Sequence, residues 1–430
     1  MKRLIFIASL AMLAVGCQKT EIQNEVLTPI GFSTEVGKQT RAIADAQTYN
    51  TLQPFAVYAY GWQNTANQNT ANQDPVMSNV EVSQQTRTNG NDQVDVWAAT
   101  GNVKYYWPND PTTTLNFYAY SPAAQTGNAS TSLVAHQGMT FATGDGNGVS
   151  HNETQGLKLT NYTHTNMYVD FMVATPVVGA TYSEPDANTS DNTDKDGTVP
   201  MVFNHQMTQI LFKVTTDKVY PGVTFTVEEV TLKNIKDQGT YTHASLTPSY
   251  TNDPQTSAFT HGTWSDQSIM TGKGVFTVFP ADTDNGAVVP NGRVMSDTDN
   301  TVEKEIALTY AVDATDASAL AEMTTTGVTM IPQDMVVATT TPAPGVDSYK
   351  DEITGQMFMI KYSISGTGVA EETVTKHVPF KVAGEQTAAV NWGVNKKITY
   401  TVKIGLNEIL FEPSVANWSE QAGNDYTFQQ

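Results

Sequence analysis

Apolar and polar positions alternate along most of this chain. In residues 223–232, Val223, Phe225 and Val227 fall on one face of an extended backbone, and Thr224, Thr226 and Glu228 on the other. That period of two is the pattern of a strand with one face buried. It recurs at 30–36, 55–60, 115–120, 167–174, 209–215, 274–279, 305–310, 357–364 and 397–404, and residues 201–214 read as a strand pair. Turn-rich stretches at 63–75, 127–156 and 183–198 interrupt the pattern and are expected to decorate one end of a sandwich. The one helical signal is Asp316 followed by Ala-Ser-Ala-Leu-Ala-Glu-Met, which predicts a short capped helix over 316–323. No strand–helix rhythm runs through the sequence, which argues against a doubly wound parallel sheet. The expectation is an all-β fold of antiparallel β-sandwiches.

The first residues are read separately, because a targeting segment is not part of a fold. Lys2 and Arg3 precede an apolar run over 4–15, too short to span a bilayer. The run ends in Ala14-Val15-Gly16-Cys17. Small residues before a cysteine resemble a lipobox, where a lipoprotein signal peptidase cuts and the cysteine receives lipid, although Ala14 stands where leucine is commoner. Cys17 is the only cysteine in the chain. Export to an oxidising compartment therefore brings no disulfide, and burial and hydrogen bonding must hold the fold. The chain of 430 residues exceeds the size at which single cores usually split. The organisation expected is a leader at 1–17, a segment at 18–41, and two domains at 42–215 and 216–430.

Net charge is −20 with 15% charged residues. Such an acidic, sparsely charged surface argues against nucleic acid and anionic membrane surfaces as partners. The seven histidines are scattered and none forms a His-Glu-x-x-His pair. His205, beside Phe203 at a strand edge, reads as a hydrogen-bonded structural histidine. There is no phosphate loop, dinucleotide fingerprint or nucleophile elbow. Residues 192–197, Asn-Thr-Asp-Lys-Asp-Gly, open like a calcium loop, but Phe203 stands where the bidentate glutamate belongs, so a solvated acidic loop is the better reading. No cofactor, metal or catalytic residue is expected.

Several local patterns together resemble the fimbrillin superfamily, the subunits of type V pili. They are Ile30-Gly31-Phe32, then Lys38-Gln39-Thr40-Arg41-Ala42, Tyr106-Trp107-Pro108, residues 115–122, residues 170–174, Val202-Phe203-Asn204-His205 leading into residues 209–214, Ile331-Pro332-Gln333, Trp392, residues 400–404 and residues 409–418. The resemblance implies two transthyretin-like β-sandwich domains, lipoprotein export to the outer membrane and proteolytic maturation. Arg41 and Ala42 match the family's cleavage site, which makes 18–41 a propeptide. If Ile30, Phe32, Thr34 and Val36 form a first strand, a cut after Arg41 frees it and leaves an unpaired edge for a strand of another subunit. The contact is head-to-tail and extends into a fibre. The implied donor is C-terminal, carried by Leu406, Ile409, Phe411, Val415 and Trp418. The same residues are equally able to close their own sheet. Implied partners are other fimbrial subunits, an arginine-specific maturation protease and, before cleavage, the outer membrane through lipid.

On the residues alone, stalk, tip and anchor roles stay open. So does a reading from another class, an anchored surface lipoprotein that binds glycans, in which Arg41 is an exposed linker residue and Tyr58, Tyr105 and Tyr118 offer faces to sugars. A hydrolase would need paired carboxylates in a cleft, and nothing local supports one.

Overall fold

A computed structural model of the protein describes residues 28–36, 54–63, 76–89, 92–101, 103–109, 113–123, 139–140, 149–152, 156–164, 167, 170–181, 198–243, 259–269, 275–279, 306–309, 322–324, 327–338, 355–381, 391–406 and 409–418. Among them every element is a strand.

The largest sheet orders its strands Val177–Ala180, Thr113–Ser121, Phe55–Gln63, Met77–Asn89, Asp92–Ala99, Gly31–Val36, Thr198–His205 and Met172–Ala174. Met172–Ala174 also pairs with Thr113–Ser121, through Tyr120↔Val173 and Ser121↔Met172. The sheet therefore closes on itself, and its core is lined by Phe32, Phe55, Val57, Trp97, Leu115, Phe117, Met201 and Phe203. Closure removes the edges that an open sheet leaves unpaired.

Strands Phe55–Gln63 and Thr113–Ser121 are apolar on both faces because each face meets a core. Phe55, Val57 and Phe117 point into the closed sheet. Ala56, Tyr58, Tyr60, Tyr118 and Tyr120 pack outward, with Leu157, Leu159, Tyr162, Phe171 and Tyr241. The strands covering that outer face are Gly156–His164, Gln238–His243, Thr263–Ser268, Met139–Thr140 and Val149–Asn152. Near-continuous apolar strands are what burial on two faces produces.

A third core lies between two further sheets. One holds Glu322–Thr324, Thr208–Thr216, Lys396–Ile404 and Ile409–Asn417, with Val328–Met330 also on Thr208–Thr216. The other holds Phe276–Phe279, Val223–Lys233, Met357–Gly366 and Val369–Pro379, with Ile306–Thr309 also on Val223–Lys233. Their inward residues, among them Phe212, Tyr400, Ile404, Phe225, Leu232 and Phe358, form one cluster. This is two sheets packed face to face.

The all-β expectation holds, and most pairings are antiparallel. Two are parallel: Gly31–Val36 on Thr198–His205, and Thr208–Thr216 on Lys396–Ile404. The helix expected over 316–323 is corrected at its end, because Glu322–Thr324 is a strand whose backbone joins the ladder at Thr215↔Glu322 and Lys213↔Thr324; residues 316–321 lie outside the described ones. Position 215, where the two domains were expected to divide, falls near the end of Thr208–Thr216, which pairs with Lys396–Ile404. Gln238–His243 in turn pairs with Gly156–His164 of the earlier half.

Candidate functional site

Gly31–Val36 lies between two strands but is bound to them unequally. It runs parallel to Thr198–His205 through six register pairs, from Gly31↔Thr198 to Val36↔Phe203. Toward Asp92–Ala99 it has a single pair, Phe32↔Trp97. The approach to the strand is also tied down. The Ile30 N–H donates to the Tyr105 carbonyl at 2.8 Å, and the Trp107 N–H donates to the Thr28 carbonyl at 3.0 Å.

Alternation sends Ile30, Phe32 and Val36 inward, where they are 5%, 3% and 6% exposed. The Phe32 ring meets Phe55 and Phe117 edge-on, with centroids 5.9 and 6.0 Å apart. Each such side chain contributes roughly 1.5–3 kcal/mol through burial. Thr34, grouped with these three by its spacing, is only half-buried. Of the slot's aromatic walls, Phe55, Phe117 and Phe203 stood in stretches read as strands or family patterns, and Trp97 was not singled out from the sequence. Trp97 had a readable signal, as the one large aromatic in an alternating stretch of Val94, Val96 and Ala98.

Cys17, Arg41 and Ala42 lie outside the described residues, as does the acidic stretch 192–197.

The C-terminal residues collect on another edge. Ile409–Asn417 is the last strand of its sheet and pairs antiparallel with Lys396–Ile404. Ile409 and Val415 are partly buried against that sheet's core. Leu406 and Leu410 are 45% and 49% exposed. Phe411 lies within the strand, paired with Val402. Beyond the strand, Trp418 is buried and belongs to the core outside the closed sheet.

Residues 204–207 connect the two regions. The His205 imidazole stacks flat on the Trp418 indole, and its Nδ1 contacts the Asp170 carboxylate. Burial raises the Asp170 pKa, and the neighbouring His205 opposes the shift. The His205 Nε2 has no hydrogen-bond partner among the described residues. Gln206, fully buried, accepts from the Tyr241 hydroxyl at 3.0 Å and from the Gly262 N–H at 3.2 Å. Its main-chain carbonyl accepts from the Trp264 indole at 2.9 Å. The sequence reading of His205 as a hydrogen-bonded structural histidine matches its contact with Asp170, but Asp170 and Trp418 as its neighbours were not foreseen.

No group of three or more potential metal-binding side chains occurs among the described residues. Tyr58 and Tyr118 are buried, and Tyr105 packs against the core of the closed sheet, so the aromatic strings work as packing. What the arrangement can do is mechanical: the strand Gly31–Val36 fills a closed sheet, and the strand Ile409–Asn417 lies at the edge of its sheet among the described residues.

A family profile described as fimbrillin-like matches residues 40–418. A fimbrial protein from Bacteroides vulgatus is 17% identical, with 91% of this chain and 99% of that one covered at a TM-score of 0.51. A candidate cell adhesion protein from Bacteroides ovatus is 11% identical, covering 91% and 98% at 0.39. The tip fimbrial protein Mfa3 from Porphyromonas gingivalis, with C-terminal truncation, is 10% identical, covering 91% and 99% at 0.28. The first similarity is one of fold, and the two lower scores add nothing to it. Among curated proteins none matches this chain.

Proposed function

Since this chain belongs to the fimbrillin-like family, we propose that it is the structural subunit of a surface fimbria, exported as a lipoprotein through Cys17, cut between Arg41 and Ala42, and polymerised by strand exchange. In this reading it is a structural protein and not an enzyme. Its two halves are transthyretin-like sandwiches divided near 215, and its partners are other fimbrial subunits, an arginine-specific protease and, until cleavage, the outer membrane through lipid.

One observation carries the reading: a short strand five residues before Arg41 completes a closed sheet and inserts Ile30, Phe32 and Val36 into its core. Once the chain is cut after Arg41, the strand is no longer covalently joined to the sheet it fills. Its loss uncovers the Thr198–His205 edge together with an apolar cleft walled by Phe55, Trp97 and Phe117, which is a template for strand addition. The burial of Tyr58 and Tyr118 takes two aromatic faces away from the glycan-binding alternative.

Trypsin treatment of the purified precursor tests the proposal. One early cut after Arg41, a new N-terminus at Ala42 and then a ladder of higher-order species on a gel are expected. Assembled surface material that retains residues 18–41 and lipid on Cys17 overturns it.

A further inference from the structure

The strand Gly31–Val36 is held differently at its two ends. Just before it the chain is clasped on a second side: Pro29 bridges to Tyr106, the Ile30 N–H donates to the Tyr105 carbonyl, and the Trp107 N–H donates to the Thr28 carbonyl. At Gly31 the backbone is wedged between both flanks, since a Cβ there would stand 3.3 Å from the Thr198 methyl and 3.9 Å from the Trp97 carbonyl. Phe32↔Trp97 is the single pair on that side. From Ser33 to Val36 the ladder runs to Thr198–His205 alone among the described residues. Val36 is buried, but its backbone has one partner strand.

The ladder is also parallel, which gives it a mechanical direction. A tether attached before Thr28 draws Gly31–Val36 back along its own axis. The rest of the molecule draws Thr198–His205 forward, because the chain leaves that strand at Gln206. The C-terminal edge is fastened at the same place, by the Trp418–His205 stack and by the Asn395 N–H donating to the Met207 carbonyl at 2.9 Å. Met172–Ala174 braces the strand there, through pairs at Phe203, Asn204 and His205. The two strands are then pulled from opposite ends, and the pairs from Gly31↔Thr198 to Val36↔Phe203 must slip together. A pull from beyond Val36 opens the same ladder one pair at a time, beginning where it has a single flank. Forced unfolding is governed by the rate of crossing the barrier, so a path on which pairs break together resists more than one on which they break in turn.

Resting on the lipid attachment and cleavage read above, we propose that Gly31–Val36 is a load-bearing clamp with a direction. It holds the subunit against tension from a membrane-anchored N-terminal side, and it releases by peeling from Val36 toward Ile30. The cut after Arg41 frees the end that peels and leaves intact the end that carries the load. A cut subunit therefore stays tied to its anchor until the Val36 end is lifted.

Single-molecule force spectroscopy tests the clamp. Cys17 is the only cysteine, so in the unlipidated chain its thiol is a unique handle on the load-bearing side. Cys17→Ser combined with Thr40→Cys moves the handle to the peeling side. Each chain is held by a C-terminal tag and cut with an arginine-specific protease. Detaching the leader through Cys17 should take about twofold or more of the force needed through residue 40 at the same loading rate. Gly31→Ala, which crowds Thr198 and Trp97, should lower the first force and leave the second unchanged.

Equal forces through the two handles, or no effect of Gly31→Ala on the first, overturn the proposal. So does loss of the leader on cutting before any load is applied, an outcome that leaves strand exchange standing. In the uncut chain a pull through Cys17 should meet the same first rupture force. Failure of the protease to cut after Arg41 therefore counts against the cleavage reading, and the uncut chain still decides the clamp.

Discussion

The indole of Trp418 lies on the imidazole of His205 with ring centroids 4.1 Å apart and planes inclined by 7°. His205 ends the strand that pairs with Gly31–Val36, and Trp418 follows the last strand at the C-terminal edge. One stack therefore joins the far end of the C-terminal edge strand to the wall of the closed sheet. The Trp418 N–H also donates to the Asn395 carbonyl at 3.0 Å, so its backbone is held as well as its ring.

Trp418→Ala removes the stack and leaves the end of the edge strand held by its main-chain ladder and the Lys396–Asn417 side-chain hydrogen bond. A buried aromatic cut to alanine costs about 3–5 kcal/mol, and the position at the end of a strand puts this one near the lower figure. Native-state hydrogen exchange should show faster exchange over 409–417 with little change over 55–63. Unchanged protection of the edge strand would show that the stack does not hold it.

Phe32→Asp tests the other strand. The change deletes the contacts with Phe55 and Phe117 and puts a carboxylate among the apolar side chains of the closed sheet's core. A loss of about 3–5 kcal/mol in the uncut precursor is expected from cavity and desolvation together. Urea unfolding measures it. Phe32→Leu keeps most of the volume and should cost roughly 1–1.5 kcal/mol. A precursor indifferent to Phe32→Asp would make residues 28–36 a tether rather than a strand.

How much could be read beforehand follows from what each residue faces. The strands with a strict apolar alternation, such as Val223–Lys233 and Met357–Gly366, were visible because one core fixes their pattern. Met77–Asn89 and Asp92–Ala99 were not, because residues such as Gln84, Gln85, Thr86 and Arg87 put polar groups on consecutive positions. Their place is set by cross-strand pairing, which carries no local signal. Ile30, Phe32 and Val36 were legible as one face of a strand, but not the parallel partner, 167 residues later in register (Gly31↔Thr198), that gives the strand its meaning. The Asp170–His205–Trp418 contact joins three distant segments, and no spacing in the sequence announces it.

Acid should weaken the fold through His164. The ring is fully buried, stacks on Tyr162, and its Nε2 donates to the Thr329 carbonyl at 2.7 Å while Nδ1 accepts from the Tyr162 hydroxyl at 3.0 Å. Burial lowers its pKa to about 4, with the Thr329 carbonyl opposing. The folded state therefore binds this proton less readily than the unfolded chain does, so stability is present above about pH 6.5 and is lost progressively toward about pH 4. The full difference is about 3 kcal/mol. His261, also lowered to about 4 by burial and then by the charges of His243, Lys396 and His205, acts in the same direction. Urea midpoints at pH 7 and pH 5 should differ, and His164→Gln should flatten the difference while lowering stability at pH 7. An equal pH slope in the variant would place the acid sensitivity elsewhere.

The unequal pairing of Gly31–Val36 predicts where excision is felt. Residues 198–202 have that strand as their only ladder partner among the described residues, since Met172–Ala174 begins pairing at Phe203. Asp92–Ala99 keeps its full antiparallel ladder with Met77–Asn89 whether or not Gly31–Val36 is present. Amide protection reports the free energy of local opening, so a strand that loses one of two partners should stay protected and a strand that loses its only one should not. After cleavage behind Arg41 and removal of 1–41, exchange should accelerate by at least tenfold over 199–202 and change much less over 93–98. On assembly the protection over 199–202 should return, because the replacement strand must use the same edge. Equal loss on both flanks would mean that the sheet opens as a whole. No loss on either would mean that Gly31–Val36 supplies none of the ladder on which strand exchange depends.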